Sequence, residues 1–290
     1  MAENLRAKPI EFKIPKQIGI SKDIRSTLYL GDSQETGEPG VLVFPGIFQD
    51  GRIPPHIAEM VSGGDVVNAF PYWKVSADRV SVEALSEAFP LAAIDAWREV
   101  YGTKVAPNVV AESLAGYGVG RAMVASSDHF NHIGWLRTAG VGPEHFKGRP
   151  MRELGARAIS TLRHFDQDPF VDKWNAYSAS RIAWHIGFKA IRQMAGGLDG
   201  GEEESIIPAF MEHLPLRHAE GKRNVFATGD QDALSTPEEH RELQEKIGAC
   251  FMELIILENT SHRSMATIGG ALDAQTMINE LMDGKQPVAA

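Results

Sequence analysis

Residues 109–124 read Val109-Val110-Ala111-Glu112-Ser113-Leu114-Ala115-Gly116-Tyr117-Gly118-Val119-Gly120-Arg121-Ala122-Met123-Val124. A short apolar run meets one serine, Ser113, and passes through small residues into a second apolar segment. That is the layout of a strand turning sharply into a helix with a nucleophilic serine held at the bend. Small residues must flank the serine, because a larger side chain would collide with the backbone of so tight a turn. The usual spelling is Gly-x-Ser-x-Gly; here Ala111 and Ala115 take the flanking positions and Gly116 follows.

The same segment offers a second reading, since Gly116-Tyr117-Gly118-Val119-Gly120 looks like the glycine fingerprint of a dinucleotide fold. That fingerprint wants Gly-x-Gly-x-x-Gly/Ala, and Arg121 stands where its last glycine or alanine belongs. The strand also ends before Ser113, too early for a turn beginning at Gly116. No acidic residue closes a second strand about twenty residues on, where Trp135-Leu136-Arg137-Thr138 stands. The dinucleotide reading yields, and no cofactor is expected.

The chain has 290 residues, enough for one large α/β domain or a core with an inserted subdomain. With 43% hydrophobic and 23% charged residues it has the composition of an ordinary globular protein with ample core material. A net charge of −9 argues against a nucleic-acid binder, which would show a basic stripe. The lone cysteine, Cys250, rules out an intramolecular disulfide and fits a reducing compartment. It stands beside the apolar run 251–257 and reads as a buried packing residue. The first eight residues carry no apolar signal region, and no stretch approaches the roughly 18 apolar residues of a membrane span. The expected location is cytoplasmic. The oligomeric state stays open, a homodimer included.

Strand patterns occur at 10–14, 25–30, 41–44 and 65–70, and again at 106–112, 132–136, 224–228 and 251–257. Val41-Leu42-Val43-Phe44 is wholly apolar and closed by Pro45-Gly46, as in a strand buried on both faces. Residues 78–101 follow a helical stripe through Val82, Leu85, Phe89, Ala92, Ile94 and Trp97. Pro90 interrupts it and predicts a kink or two consecutive helices. A helix over 114–126 follows the serine. This alternation predicts an α/β fold with a mostly parallel central sheet and helices on both faces. Between 145 and 221 the apolar residues, many of them aromatic, recur at helical spacing. We read that span as a helical lid inserted into a core of residues 1–144 and 222–290.

Serine is a weak nucleophile until a base takes its proton, and a carboxylate best orients that base. With a serine at such a bend, the expected chain order is Ser, then Asp or Glu, then His, each at the carboxyl end of a different strand. After the strand at 224–228 come Gly229-Asp230-Gln231-Asp232; after the strand at 251–257 come Glu258-Asn259-Thr260-Ser261-His262. In these segments the chain resembles the α/β-hydrolase superfamily, which commonly carries Gly-x-x-Asp and then a histidine just past the last strand.

The resemblance covers nearly the whole chain and implies Ser113 as nucleophile, Asp232 as acid and His262 as general base. Asp230 is the reserve acid. It further implies an oxyanion hole of two backbone N–H groups, one from Leu114 and one from the loop after Val41–Phe44, where Ile47 is the choice and Phe48 its neighbour. The family's frequent His-Gly pair is replaced here by Phe44-Pro45-Gly46. The implied activity is hydrolysis of a carboxylic ester, thioester or related acyl bond in a small molecule. Carbon–carbon bond hydrolysis, acyl transfer and cofactor-free haloperoxidase chemistry use the same three residues. A non-catalytic, hydrolase-like ligand-binding protein is the alternative of another class.

Other residues read more plainly. His129 and His132 have His-x-x-His spacing, but no carboxylate completes a metal site nearby, so no metal is expected. Asp230 and Asp232 also suit backbone-capping in a turn. Glu112, beside the serine, is given a supporting role at best.

Overall fold

In a computed structural model of the protein, the described residues are 8–31, 40–46, 61, 64–67, 82–138, 206–263, 265 and 268–283. They contain eight strands of one sheet: β1 (Lys8–Ile14), β2 (Ile24–Leu30), β3 (Val41–Phe44), β4 (Gly64–Val67), β5 (Asn108–Glu112), β6 (Ile133–Leu136), β7 (Asn224–Gly229) and β8 (Glu253–Leu257). Their order across the sheet is β1-β2-β4-β3-β5-β6-β7-β8. The pairings of β1 with β2 and β2 with β4 are antiparallel, and every later pairing is parallel. The mostly parallel α/β sheet expected from the apolar runs is therefore present.

Side chains alternate along each strand, so the apolar runs split into two sets facing opposite layers. Leu42, Phe44, Val109, Ala111, Trp135 and Phe226 enter one core. Val41, Val43, Val110, Leu136, Val225 and Ala227 enter the other. The first core is covered by α1 (Val82–Tyr101), α2 (Leu114–Ala125), α3 (Ile206–Ala219) and α4 (Pro237–Ile247). The second is covered by α5 (Ile268–Met282), through Ala271, Ala274, Met277, Ile278 and Leu281. Burial on both faces is why the central strands carry no polar alternation.

Two expectations change. Of the two outcomes Pro90 predicts, a kink or two consecutive helices, the second is not found: α1 is a single helix of 20 residues with Pro90 inside it. Leu85, Phe89, Ile94 and Trp97 are all buried, and Trp97 Nε1 donates to the buried Asp65 Oδ2 at 2.7 Å. That packing outweighs the one backbone hydrogen bond a proline removes. Cys250 is half-exposed, not buried. It lies in a turn where Phe251 N–H donates to Gly248 O, and the buried apolar side begins only at Met252.

Of the span 145–221 read as an inserted lid, residues 145–205 lie outside the described residues. Residues 206–219 form α3, and α3 is laid on the sheet. Phe210 meets Trp135 with ring centroids 4.8 Å apart and Phe226 at 5.6 Å. No helix among the described residues is long and apolar enough to cross a membrane.

Candidate active site

β5 ends at Glu112 and α2 begins at Leu114, so Ser113 alone makes the turn. Its backbone sits at φ 50°, ψ −123°. Such a conformation costs a non-glycine residue on the order of 1–3 kcal/mol and persists only where the surroundings over-determine it. Here they do. Ser113 N–H donates to Leu136 O at 2.8 Å, and Gly116 N–H donates to Ser113 O at 3.0 Å. A Cβ at Gly116 would lie 2.4 Å from the Thr138 side chain, and one at Gly46 would lie 3.0 Å from Ser113 Cβ. Two of the glycines that imitate a phosphate cradle are close-packing residues of α2: Gly116 against Thr138, and Gly120 against Ile206 of α3.

The acid and base arrive on two loops that are stapled together. A Cβ at Gly229 would fall 1.9 Å from Thr260 O, so only glycine lets the loop after β8 approach the end of β7. Gln231 N–H donates to Thr260 O at 3.0 Å, and Thr260 N–H donates to Asp230 Oδ1 at 3.0 Å. Asp230 is exposed and spends its carboxylate on this staple, away from His262. Asp232 Oδ2 lies 2.8 Å from His262 Nδ1, and His262 Nε2 lies 3.0 Å from Ser113 Oγ. All three side chains are buried. The structure thus brings together Ser113, His262 and Asp232, and not the reserve acid.

Electrostatics suit the arrangement. Burial pushes the Asp232 carboxyl up, but the charge and hydrogen bond of His262, the N–H of Ser235 and the charge of Arg137 together outweigh it. The carboxyl lies below its ordinary value. Asp232 Oδ1 also accepts N–H bonds from Leu234 and Ser235, both at 2.8 Å. An ionised Asp232 accepts from Nδ1–H, which leaves Nε2 free to accept from the serine hydroxyl. Beyond this loop, Thr236 and Glu239 form a capping box that starts α4 and fixes where the loop ends.

Leu114 opens α2, and the first N–H groups of a helix have no partner within it. That is the donor expected on one side of Ser113. Ile47 and Phe48 lie outside the described residues; the preceding loop is described as far as Gly46.

Glu112 is more engaged than its sequence position suggests. Its side chain is buried; Oε2 accepts from Gly46 N–H at 2.9 Å and Oε1 from Met265 N–H at 2.7 Å. Burial pushes its carboxyl up, more than the charge of Arg137, the two N–H bonds and the charge of His262 pull it down. Arg137 Nη2 lies 3.8 Å from Oε1, while Arg137 Nη1 donates to Asp273 Oδ2 at 2.8 Å and to Ser261 O at 3.2 Å. Arg263 joins through Nε to Asp273 Oδ2 at 2.8 Å and Nη2 to Oδ1 at 2.9 Å. Nothing in the sequence marks Arg137, Arg263 and Asp273 as neighbours of the site. One signal existed for Glu112: it shares the parity of Val110, which places it on the α5 side of the sheet.

His129 and His132 are drawn to separate partners. His129 Nδ1 shares a hydrogen bond with Ser126 Oγ at 2.6 Å, and His132 Nδ1 accepts from Arg223 N–H at 3.0 Å. No metal-binding cluster occurs among the described residues.

No protein-family model matches the chain, and no curated protein matches it in sequence. Solved structures do match. A serine hydrolase from the polyaromatic-hydrocarbon-degrading bacterium Cycloclasticus zankles is 12% identical, with 96% of this chain and 100% of that chain covered at a TM-score of 0.61. A peroxisomal α/β-hydrolase from Saccharomyces cerevisiae is 10% identical, over 98% and 92%, at 0.59. The 2-hydroxy-6-oxo-6-phenylhexa-2,4-dienoate hydrolase of a Rhodococcus strain is 14% identical, over 96% and 100%, at 0.58. The chain has the α/β-hydrolase fold.

Proposed function

We propose that this protein is a serine hydrolase that cleaves a carboxylic ester, thioester or related acyl bond through Ser113, His262 and Asp232. The observation that carries the reading is the continuous chain from Ser113 Oγ to His262 Nε2 at 3.0 Å and from His262 Nδ1 to Asp232 Oδ2 at 2.8 Å, at the end of a strained elbow. His262 takes the hydroxyl proton as Ser113 Oγ bonds to the acyl carbon. The oxyanion is met by the N–H of Leu114 and by a second N–H from the loop after Gly46, with Ile47 the choice; each such donor is worth about 3 kcal/mol. The bond to the leaving group breaks and His262 returns the proton to it. Water, deprotonated by His262, then releases the acid and restores the serine. Asp232 stays ionised and holds the imidazole. The span 145–221, read from its sequence as a helical insertion, is proposed to set the choice of substrate.

Among structural neighbours named as esterase, thioesterase and hydrolase, the Rhodococcus enzyme favours a second reading. Its named substrate is a ketone with no ester bond, so carbon–carbon cleavage by the same three residues stays in view. The first test is a fluorophosphonate probe, which phosphonylates an activated serine. We expect labelling of the wild type and none of Ser113→Ala. An unlabelled wild type, or equal labelling of the variant, overturns the proposal. Hydrolysis rates on a panel of simple acyl esters, thioesters and vinylogous diketones then separate the two readings.

A further inference from the structure

Four chain segments must keep register for a nucleophile, a base and an oxyanion hole to converge, and they come from the ends of β3, β5, β6 and β8. One side chain reaches two of these segments from a third. Glu112 stands immediately before Ser113, so its backbone moves with the elbow. Its Oε2 holds Gly46 N–H at 2.9 Å, the last described residue before the expected second oxyanion donor. Its Oε1 holds Met265 N–H at 2.7 Å, three residues past His262. The fourth segment joins through Arg137, which faces Glu112 Oε1 at 3.8 Å and holds the carbonyl of Ser261, next to His262.

Gly46 is also in direct contact with the elbow: a Cβ there would lie 3.4 Å from Glu112 O and 3.5 Å from Glu112 Oε2, besides its 3.0 Å approach to Ser113 Cβ. A carboxylate suits this position because each oxygen accepts one backbone N–H. An apolar residue would leave both donors buried without an acceptor, at about 1–3 kcal/mol each. An amide offers one acceptor and turns a donor toward the other N–H.

We propose that Glu112 is a positioning residue of the hydrolytic site, clamping the loop after β3 and the loop after β8 onto the elbow so that the oxyanion donors and His262 stay aligned on Ser113. The inference rests on the acyl-hydrolase reading. It differs from a merely structural role in its consequence: loss of the clamp slows the chemical step more than it loosens the fold, because Arg137 keeps Asp273 and Ser261 when Glu112 is neutralised.

The experiment measures fluorophosphonate labelling of Ser113 across probe concentrations, with thermal unfolding alongside. Glu112→Gln is expected to fold with a Tm a few degrees lower. Its labelling rate at saturating probe should fall about 10- to 100-fold, with half-saturation unchanged, as displacing reacting groups by about 1 Å does. Glu112→Asp keeps the charge on a stem one methylene shorter and reaches one N–H, so it should fold and label more than about twofold more slowly than wild type but faster than Gln; it decides the matter if the Gln variant fails to fold. Labelling of either folded variant within about twofold of wild type at saturation overturns the clamp and leaves the acyl-hydrolase reading standing. A wild type that takes no label overturns both.

Discussion

Ser113 occupies φ 50° and gains from it a hydroxyl aimed across the strand ends at His262, 3.0 Å away. The identity of the acid shows how much two residues of spacing decide. Asp230 and Asp232 both lie in one loop, both accept backbone N–H bonds, and only Asp232 meets His262. Asp232→Asn turns an amide donor toward Nδ1 and forces the wrong imidazole tautomer, so under the proposed acyl-hydrolase reading turnover should fall by about 10⁴. Asp230→Asn keeps an acceptor for Thr260 N–H at an exposed position and should change stability by no more than about 0.5 kcal/mol, with labelling retained. The two variants also part in acid. The folded Asp232 carboxyl lies below its ordinary value, so its contribution to stability is complete above the unfolded-state value of about 4 and is lost as pH falls through the lower folded value. Urea midpoints followed from pH 7 down to strong acid should show a constant gap between wild type and Asp232→Asn that closes at the acid end.

At the scale of elements, α2 is pinned on two sides by glycines. Gly116 lets its start meet Thr138 after β6, and Gly120 lets its middle meet Ile206 at the start of α3. A Cβ at Gly120 would sit 2.0 Å from Ile206 Cδ1 and 2.9 Å from Cγ1. Gly120→Ala gains about 1 kcal/mol of helix propensity but meets an overpacking penalty of about 1–3 kcal/mol, so it should be neutral to destabilising. Ile206→Val removes the nearer atom and alone costs about 0.5–1.5 kcal/mol. The double variant should be more stable than the sum of the singles by about 0.5–3 kcal/mol, measured by urea unfolding; strict additivity would mean the two helices do not bear on each other here. This contact is also one that the sequence does not announce. The residues of α3 continue the aromatic helical pattern of the preceding span, and nothing local marks Ile206 and Phe210 as partners of Gly120 and Trp135. The strands were legible because burial on both faces writes itself as an unbroken apolar run. The three candidate site residues were legible because each lies within five residues of the end of such a run. A helix that returns to the sheet across a long segment leaves no comparable mark.

Across the whole molecule the same limit explains what the sequence concealed around the site. Asp273 reads as one polar residue among Ala271, Ala274 and Met277 on a covering helix, and Arg137 as the end of a strand; only the fold sets them 2.8 Å apart. With Arg263 they form a buried cluster that ties α5, near the end of the described chain, to the loop carrying His262 and to the end of β6, an interior strand of the sheet. Arg137 is fully buried and Arg263 nearly so, with the Asp273 carboxylate between them. A buried ion cluster need not stabilise more than apolar packing would, but removing one partner leaves uncompensated charge, and that costs about 3–5 kcal/mol. Asp273→Ala takes the shared carboxylate from two buried guanidinium groups at once, leaving Arg137 the more distant Glu112, and should lose stability of that order in urea unfolding. The loss should be felt at the site as well, since Arg137 then no longer anchors Ser261 beside His262, and labelling of Ser113 should slow in the fraction that stays folded. Adding Arg263→Met to Asp273→Ala removes one of the two buried charges that lost this carboxylate and should recover part of the stability. A double variant no more stable than Asp273→Ala alone would show that the cost lies in the lost packing of α5 and not in the buried positive charge that loses its carboxylate.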